Sequence, residues 1–225
     1  NQCRIMYEIK LQLPFDGFYI TGSMVLPVNA RSLVIFAHGW GNTSESPHEQ
    51  AIAKHLQKEG FGTLMFDLME GHPKQSGGLK EKDISLLTEG LTTALQWLNG
   101  HSQYQTLHIA ILGSGTGAAV AMKVANKLPP HMIEAIITIS GRLDLVRKKV
   151  TSISCPSLLI VGELDFQTLN INQHLLKYLK GQKQLAIIPG ASHLFEESGK
   201  QEKVGKIISS WLKKYLPVKQ EKMTT

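Results

Sequence analysis

The chain has 225 residues, and its 24 lysines and arginines outnumber its 18 aspartates and glutamates, so its net charge is +6. Hydrophobic residues make up 42% and charged residues 19%, which indicates an ordinary soluble globular protein with a single domain over residues 1–225. No apolar run reaches the roughly 18 residues of a membrane span. Cys3 and Cys155 form neither a metal-binding pattern nor a disulfide framework.

Part of the basic excess lies near the C-terminus, at Lys213, Lys214, Lys219 and Lys222. A basic patch can favour nucleic acid or acidic substrates. We interpret these lysines instead as a solvated helix face followed by a loose tail over 217–225, and we expect neither nucleic acid nor a membrane as a partner. A cytoplasmic location is the expectation, and a removed signal peptide stays open because the sequence does not begin with Met.

Apolar runs and amphipathic stretches alternate along the chain. Period-two alternation predicts strands over 4–13 and 18–26, joined by a turn at Asp16-Gly17. The further predicted elements are strand 33–37, helix 47–59, strand 61–66, helix 84–98, strand 107–112, helix 116–127, strands 133–139 and 157–161, helix 166–179, strand 185–188 and helix 204–215. This order predicts an α/β fold, in which a mostly parallel twisted sheet of about eight strands has helices on both faces and no large lid.

Three motifs follow predicted strands, at the edge where open α/β sheets bind their ligands. The first is His38-Gly39-Trp40-Gly41. Glycines there allow a sharp turn that exposes backbone N–H groups, and such groups can stabilise an oxyanion. We expect His38 and Gly39 to lie at the binding site.

The second motif is Gly113-Ser114-Gly115-Thr116-Gly117, between a predicted strand and a predicted helix. The nucleophile elbow of hydrolases has the pattern G-x-S-x-G in this context. Aligning the outer glycines places Gly115 at the apex, where the pattern has its serine. Ser114 lies one position early and Thr116 one position late, and neither side chain is expected to act as nucleophile, because adjacent side chains of a tight turn diverge. Ser114 is expected to contribute to the binding site only.

The third motif is a pair of side chains, Asp165 and His193, each shortly after a predicted strand. The order nucleophile, acid, histidine along the chain is that of α/β-hydrolases. In such a triad the aspartate holds the imidazole in its reactive tautomer and stabilises the protonated ring. Glu163 and Asp144 are less favoured alternatives for the acid.

Other chemically active side chains have simpler interpretations. Cys155 enters a buried strand and is expected to be an inert, packed thiol. Glu196 and Glu197 are interpreted as the acidic start of the last helix. No metal site is predicted, because metal-ligand spacing is absent from His48, His55, His101, His108 and His131.

Over residues 32–216 the sequence resembles the dienelactone hydrolase-like branch of the α/β-hydrolase superfamily. The resemblance rests on Phe36-Ala37-His38-Gly39, the segments 62–68 and 158–162, the pattern Gly-x-x-x-Gly-Ala-Ala at 113–119, and the segment 189–197. It implies an α/β-hydrolase fold that hydrolyses small esters or lactones through a serine or cysteine nucleophile, without a cofactor. It also implies that the backbone N–H groups of Trp40 and Thr116 form the oxyanion hole.

Gly115 leaves three accounts of the chemistry open. It is an engineered change or a variant in an active enzyme, or it is natural and the protein is a non-catalytic ligand-binding pseudoenzyme. In the third account a water molecule takes the place of the hydroxyl, and His193 activates it as general base.

Residues 113–118 also match the dinucleotide-binding pattern G-x-G-x-x-A. That pattern requires an acidic residue at the end of the next strand. Here the next predicted strand ends in Thr138-Ile139-Ser140, without an acidic residue. The interpretation also leaves Asp165 and His193 unexplained, so nucleotide binding is disfavoured.

Overall fold

The computed structural model describes residues 6–38, 46–67, 81–146 and 150–218. The strands in these ranges are β1 Met6–Phe15, β2 Phe18–Pro27, β3 Ser32–Ala37, β4 Gly62–Asp67, β5 His108–Ser114, β6 Ala135–Ile139, β7 Ser157–Gly162 and β8 Lys183–Ile188. The α-helices are α1 Pro47–Lys58, α2 Glu81–Gly100, α3 Thr116–Lys127, α4 Phe166–Leu176 and α5 Lys200–Tyr215. The predicted elements are thus confirmed, with shifts of a few residues at their ends.

The eight strands form one sheet in the order β1-β2-β4-β3-β5-β6-β7-β8. The hairpin β1–β2 is antiparallel, and β2 pairs antiparallel with β4. The other neighbours are parallel. The hairpin turn has φ values of 46° at Asp16 and 81° at Gly17, and positive φ at both positions is the signature of a turn that matches the strand twist. The predicted fold class and antiparallel edge are therefore confirmed.

Helices cover the sheet on both faces. Along β3, Leu33 and Ile35 pack into the hydrophobic cluster that includes α2, α3 and α4. Val34 and Phe36 pack into the cluster on the other face, with α1 and α5. All four side chains are fully buried, which explains why the parallel strands read as uninterrupted apolar runs.

The connections that leave the carboxyl ends of the parallel strands lie at one edge of the sheet, called here the carboxyl edge. Ligands of open α/β sheets bind at this edge. The last residues of these strands are Ala37, Asp67, Ser114, Ile139, Gly162 and Ile188. All three sequence motifs follow strands that end here.

The predicted tail begins in contact with the domain. Ser32 Oγ donates a hydrogen bond to the carbonyl of Pro217, and Val218 packs against the cluster on the α1–α5 face. Residues 219–225 lie outside the described ranges. Within those ranges, no helix has both the length and the apolar character that crossing a bilayer requires.

Candidate active site

Gly115 alone separates β5 from α3, because β5 ends at Ser114 and α3 begins at Thr116. Its backbone has φ 52° and ψ −117°, a conformation that residues with a side chain rarely adopt. Among the residues that the structure describes, none apart from the two chain neighbours of Gly115 has a heavy atom within 4 Å of a Cβ added there. The chain therefore keeps the sharp strand–turn–helix shape of a nucleophile elbow, with open space where a side chain would project.

The two outer glycines of the motif have a different role from that of Gly115. A Cβ at Gly113 would lie 2.4 Å from the carbonyl oxygen of Gly117, and a Cβ at Gly117 would lie 1.9 Å from the carbonyl oxygen of Ala37. Both distances are far below van der Waals contact. The outer glycines thus let the first turn of α3 pack directly on the backbones of β5 and β3.

Asp165 and His193 are hydrogen bonded to each other at the carboxyl edge. His193 Nδ1 donates to Asp165 Oδ2 over 2.5 Å. Asp165 is also the N-cap of α4, where its Oδ1 accepts from the backbone N–H of Thr168 over 3.2 Å. A carboxylate only accepts hydrogen bonds, so the Nδ1 proton is fixed and Nε2 is left as the basic nitrogen. The His193 side chain is 48% exposed and can reach a ligand.

The hydrogen bonds of Asp165 determine its charge. Burial by itself would raise the pKa of this carboxyl, but the hydrogen bonds from His193 and Thr168 outweigh burial and hold the pKa below its usual value. Asp165 is therefore ionised at neutral pH. An ionised partner is what an imidazole needs when it takes up a proton during catalysis.

The lowered pKa of Asp165 predicts how the stability of the fold depends on pH. A carboxyl whose pKa is depressed on folding contributes stability above the usual carboxyl range, near pH 4, and loses it as the pH falls through the folded-state pKa. We expect Asp165→Asn to lower the free energy of unfolding at about pH 7, by an amount that shrinks towards pH 3. Urea unfolding of both proteins at several pH values measures this difference, and a constant difference would contradict the prediction.

Backbone and side-chain hydrogen bonds connect the elbow to the loop that carries His193. The N–H of Gly115 donates to the carbonyl of Ile139 over 3.0 Å, and the N–H of Arg142 donates to the carbonyl of Gly115 over 2.9 Å. Between them, Ser140 Oγ donates to the carbonyl of His193 over 2.8 Å. The turn over 139–142 therefore contacts both the elbow and the histidine loop.

The two alternative acids are engaged elsewhere. Asp144 accepts two hydrogen bonds from Arg142, over 2.9 and 2.8 Å. Glu163 accepts from the backbone N–H of Gly190 over 2.7 Å. Asp165 is thus the carboxylate that the structure pairs with His193.

Comparison with known proteins identifies the family of the chain. The model of the dienelactone hydrolase family matches residues 20–216. The chain belongs to the dienelactone hydrolase family. The crystal structure of a dienelactone hydrolase from Anabaena variabilis is 33% identical and has a TM-score of 0.88, over 94% of this chain and 99% of that one. Est1E from Butyrivibrio proteoclasticus shares the fold at 16% identity, with a TM-score of 0.73 over 91% of this chain and 98% of that one.

A curated relative from Mycobacterium tuberculosis, named as a putative phosphoribosyl transferase, is 35% identical over 192 residues. The alignment covers 85% of this chain but 43% of the relative. This member of the dienelactone hydrolase family therefore spans less than half the length of that protein.

The structure of this dienelactone hydrolase family member describes three of the remaining predicted site residues, Thr116, His38 and Ser114. Trp40 and Gly39 lie outside the described residues. Thr116 directly follows Gly115 as the first residue of α3, the position that the oxyanion-hole prediction requires. His38 and Ser114, both expected at the binding site, are hydrogen bonded to a buried carboxylate. Ser114 Oγ donates to Glu49 Oε1 over 2.7 Å, and His38 Nδ1 is bonded to Glu49 Oε2.

Sequence reasoning missed Glu49. It lies in the first turn of α1 and is 2% exposed. An acidic residue in the first turn, two positions after a helix-start proline, resembles an ordinary favourable helix start, so its position carried no signal of a buried contact. Its two partners lie 11 and 65 residues away in the chain.

Glu197 was assigned wrongly. Helix α5 begins at Lys200, and Glu197 Oε1 accepts from the backbone N–H of Ser192 over 2.8 Å. Glu197 therefore holds the loop beside His193, because the chain makes a further turn before the helix begins.

The pKa of Cys155 agrees with its interpretation as an inert thiol. Burial raises the pKa of the Cys155 thiol to about 11, so its thiolate is scarce at neutral pH and the thiol is a poor nucleophile. In the part of the chain that the structure describes, no three His, Cys, Asp or Glu side chains are grouped so that they could hold a metal ion.

Proposed function

We propose that this chain binds small esters or lactones at the carboxyl edge and that Asp165 and His193 act on the bound carbonyl group. The observation that carries the proposal is the 2.5 Å hydrogen bond between His193 and Asp165. The turn 139–142 contacts both the loop of His193 and the elbow, which has open space at Gly115. The solved relatives support this substrate class, because one is named a dienelactone hydrolase and others are named esterases.

With Gly115 at the apex, the reaction would proceed without an acyl-enzyme. A water molecule in the open space would attack the carbonyl carbon while His193 Nε2 takes its proton. Asp165 would stabilise the resulting imidazolium. The backbone N–H groups of Thr116 and Trp40 would bind the oxyanion, and the leaving alcohol would take the proton back from His193. Such a route suits reactive substrates such as aryl esters.

Hydrolysis of p-nitrophenyl acetate by the chain as it stands tests this proposal. We expect His193→Ala to lower kcat/KM by about 10²-fold, the lower end of what a general base contributes. His174→Ala is the matched control, because His174 is an exposed imidazole on α4 that reports non-specific catalysis by surface histidines. Equal rates for the unchanged chain and His193→Ala would contradict a base role for His193.

Gly115 also favours a second function, non-catalytic ligand binding on the same fold. In that case the unchanged chain and His193→Ala would hydrolyse esters at the same low rate. A small lactone would still raise the melting temperature of the unchanged chain, because a ligand that binds only the folded state stabilises it. A native gene with a serine codon at 115 would exclude this alternative.

A further inference from the structure

The carboxylate of Glu49 is buried, and both of its oxygens have partners. An isolated buried carboxylate is strongly disfavoured unless donors replace the lost water. Here Ser114 Oγ donates to one oxygen over 2.7 Å, and His38 Nδ1 is bonded to the other. His38 is only 3% exposed. We call these three residues the Glu49 cluster.

The Glu49 cluster joins three elements directly beneath the carboxyl edge. His38 is the first residue after β3, Ser114 is the last residue of β5, and Glu49 is in the first turn of α1. Strands β3 and β5 are neighbours in the sheet. Because Ser114 directly precedes Gly115, the carboxylate restrains the residue that leads into the elbow.

The same turn of α1 also contacts the histidine loop. The ring of His48 stacks on Phe195, with centroids 6.3 Å apart and an angle of 8° between the planes. Phe195 lies two residues after His193 and is 1% exposed. Burial lowers the pKa of His48, so its ring is neutral at neutral pH. Adjacent residues of α1 therefore contact the elbow and the loop that carries the base.

Stability by itself does not account for the Glu49 cluster. Well-packed apolar side chains of similar volume often stabilise a core as well as a buried charged group does, or better. The benefit of a carboxylate with two directed hydrogen bonds is a defined orientation of its partners. Those partners are the residues next to the predicted oxyanion loop and the elbow.

We propose that Glu49 is a positioning residue, whose carboxylate fixes the elbow at Gly115 relative to the end of β3. The effect of Glu49 on catalysis rests on the proposed function, whereas the effect of Glu49 on the order of the elbow does not. Ser114→Ala removes the hydrogen bond to the elbow and leaves the pair of Glu49 and His38 intact. Glu49→Gln keeps an oxygen that accepts from Ser114, so it is the conservative variant.

The catalytic test uses the Gly115→Ser background. We expect Ser114→Ala and Glu49→Ala to lower kcat at least about tenfold while KM changes less than about twofold, because a positioning residue acts on the reacting geometry rather than on binding. Glu49→Gln should restore most of the rate. The matched control is Ser209→Ala, which removes the hydroxyl of a buried serine that lies 3.1 Å from His55 at the far end of α1. Equal kcat losses in Ser114→Ala and Ser209→Ala would overturn the proposal.

A second test needs no turnover. The N–H of Gly115 is hydrogen bonded to Ile139 over 3.0 Å, so its hydrogen-exchange rate reports the order of the elbow. In the background that keeps Gly115, Ser114→Ala should speed amide hydrogen exchange at Gly115 at least about tenfold. Ser209→Ala should leave that rate unchanged. An unchanged rate at Gly115, or equal acceleration at all amides, would overturn the positioning role. If Gly115→Ser is inactive but the exchange result holds, the proposed function fails and the positioning role stands.

Discussion

Gly115→Ser is expected to hydrolyse p-nitrophenyl acetate about 10³-fold faster than Gly115→Ala, because it adds the hydroxyl that His193 can deprotonate. The two variants share a Cβ and differ in one oxygen, so their ratio isolates the nucleophile. The Cβ meets no heavy atom of the other described residues within 4 Å, so its addition requires none of them to move. A burst of p-nitrophenol equal to the enzyme concentration would report the acyl-enzyme.

Both substitutions should also lower stability, by about 1–3 kcal/mol, because a side chain at a φ of 52° strains the backbone. Urea unfolding of the three proteins measures this loss, and the hydroxyl should make little difference to it. If Gly115→Ser is no faster than its own His193→Ala double variant, the catalytic interpretation of the site fails. If the variants are as stable as the unchanged chain, the backbone does not have the strained conformation described above.

Gly117→Ala is expected to destabilise the fold by more than about 3 kcal/mol, the largest stability effect predicted for a single methyl group here. Its Cβ would lie 1.9 Å from the carbonyl oxygen of Ala37. Both the helix and the strand would have to move, because the contact is with backbone and no side chain can rotate away. Within a helix, alanine is normally more stable than glycine by about 1 kcal/mol. A loss of stability in Gly117→Ala would therefore be opposite to the intrinsic helix preference.

Gly115→Ala is the matched comparison for Gly117→Ala, since it adds the same methyl group two residues away in open space. The free energy of unfolding from urea titration, with circular dichroism as the signal, measures both. A loss at position 117 no larger than the loss at position 115 would show that β3 and α3 are less closely packed than described.

The fold and the contact between Asp165 and His193 followed from the sequence because they depend on local patterns. Buried apolar runs marked the parallel strands, and parallel strands bring their carboxyl ends to one edge. Asp165 and His193 each follow such a strand, so their meeting needed no knowledge of side-chain packing. The apex position of Gly115 followed from the outer glycines in the same way.

The Glu49 cluster could not be predicted from local patterns. Its contacts depend on how far α1 reaches over the ends of β3 and β5, which is set by the packing of the whole α1–α5 layer. Glu197 was misassigned for a related reason, because the length of the turn before α5 is not encoded in helix periodicity. Residues whose role depends on the distance between two elements need coordinates.

Asp165 uses its two oxygens for different tasks, since Oδ1 accepts from the backbone N–H of Thr168 and Oδ2 accepts from His193. Rotating the carboxyl group to suit one partner would misalign the other. The direction of the imidazole is consequently tied to the first turn of α4, so folding alone orders the His193 ring. A ligand that tilted α4 would therefore also change the orientation of the His193 ring.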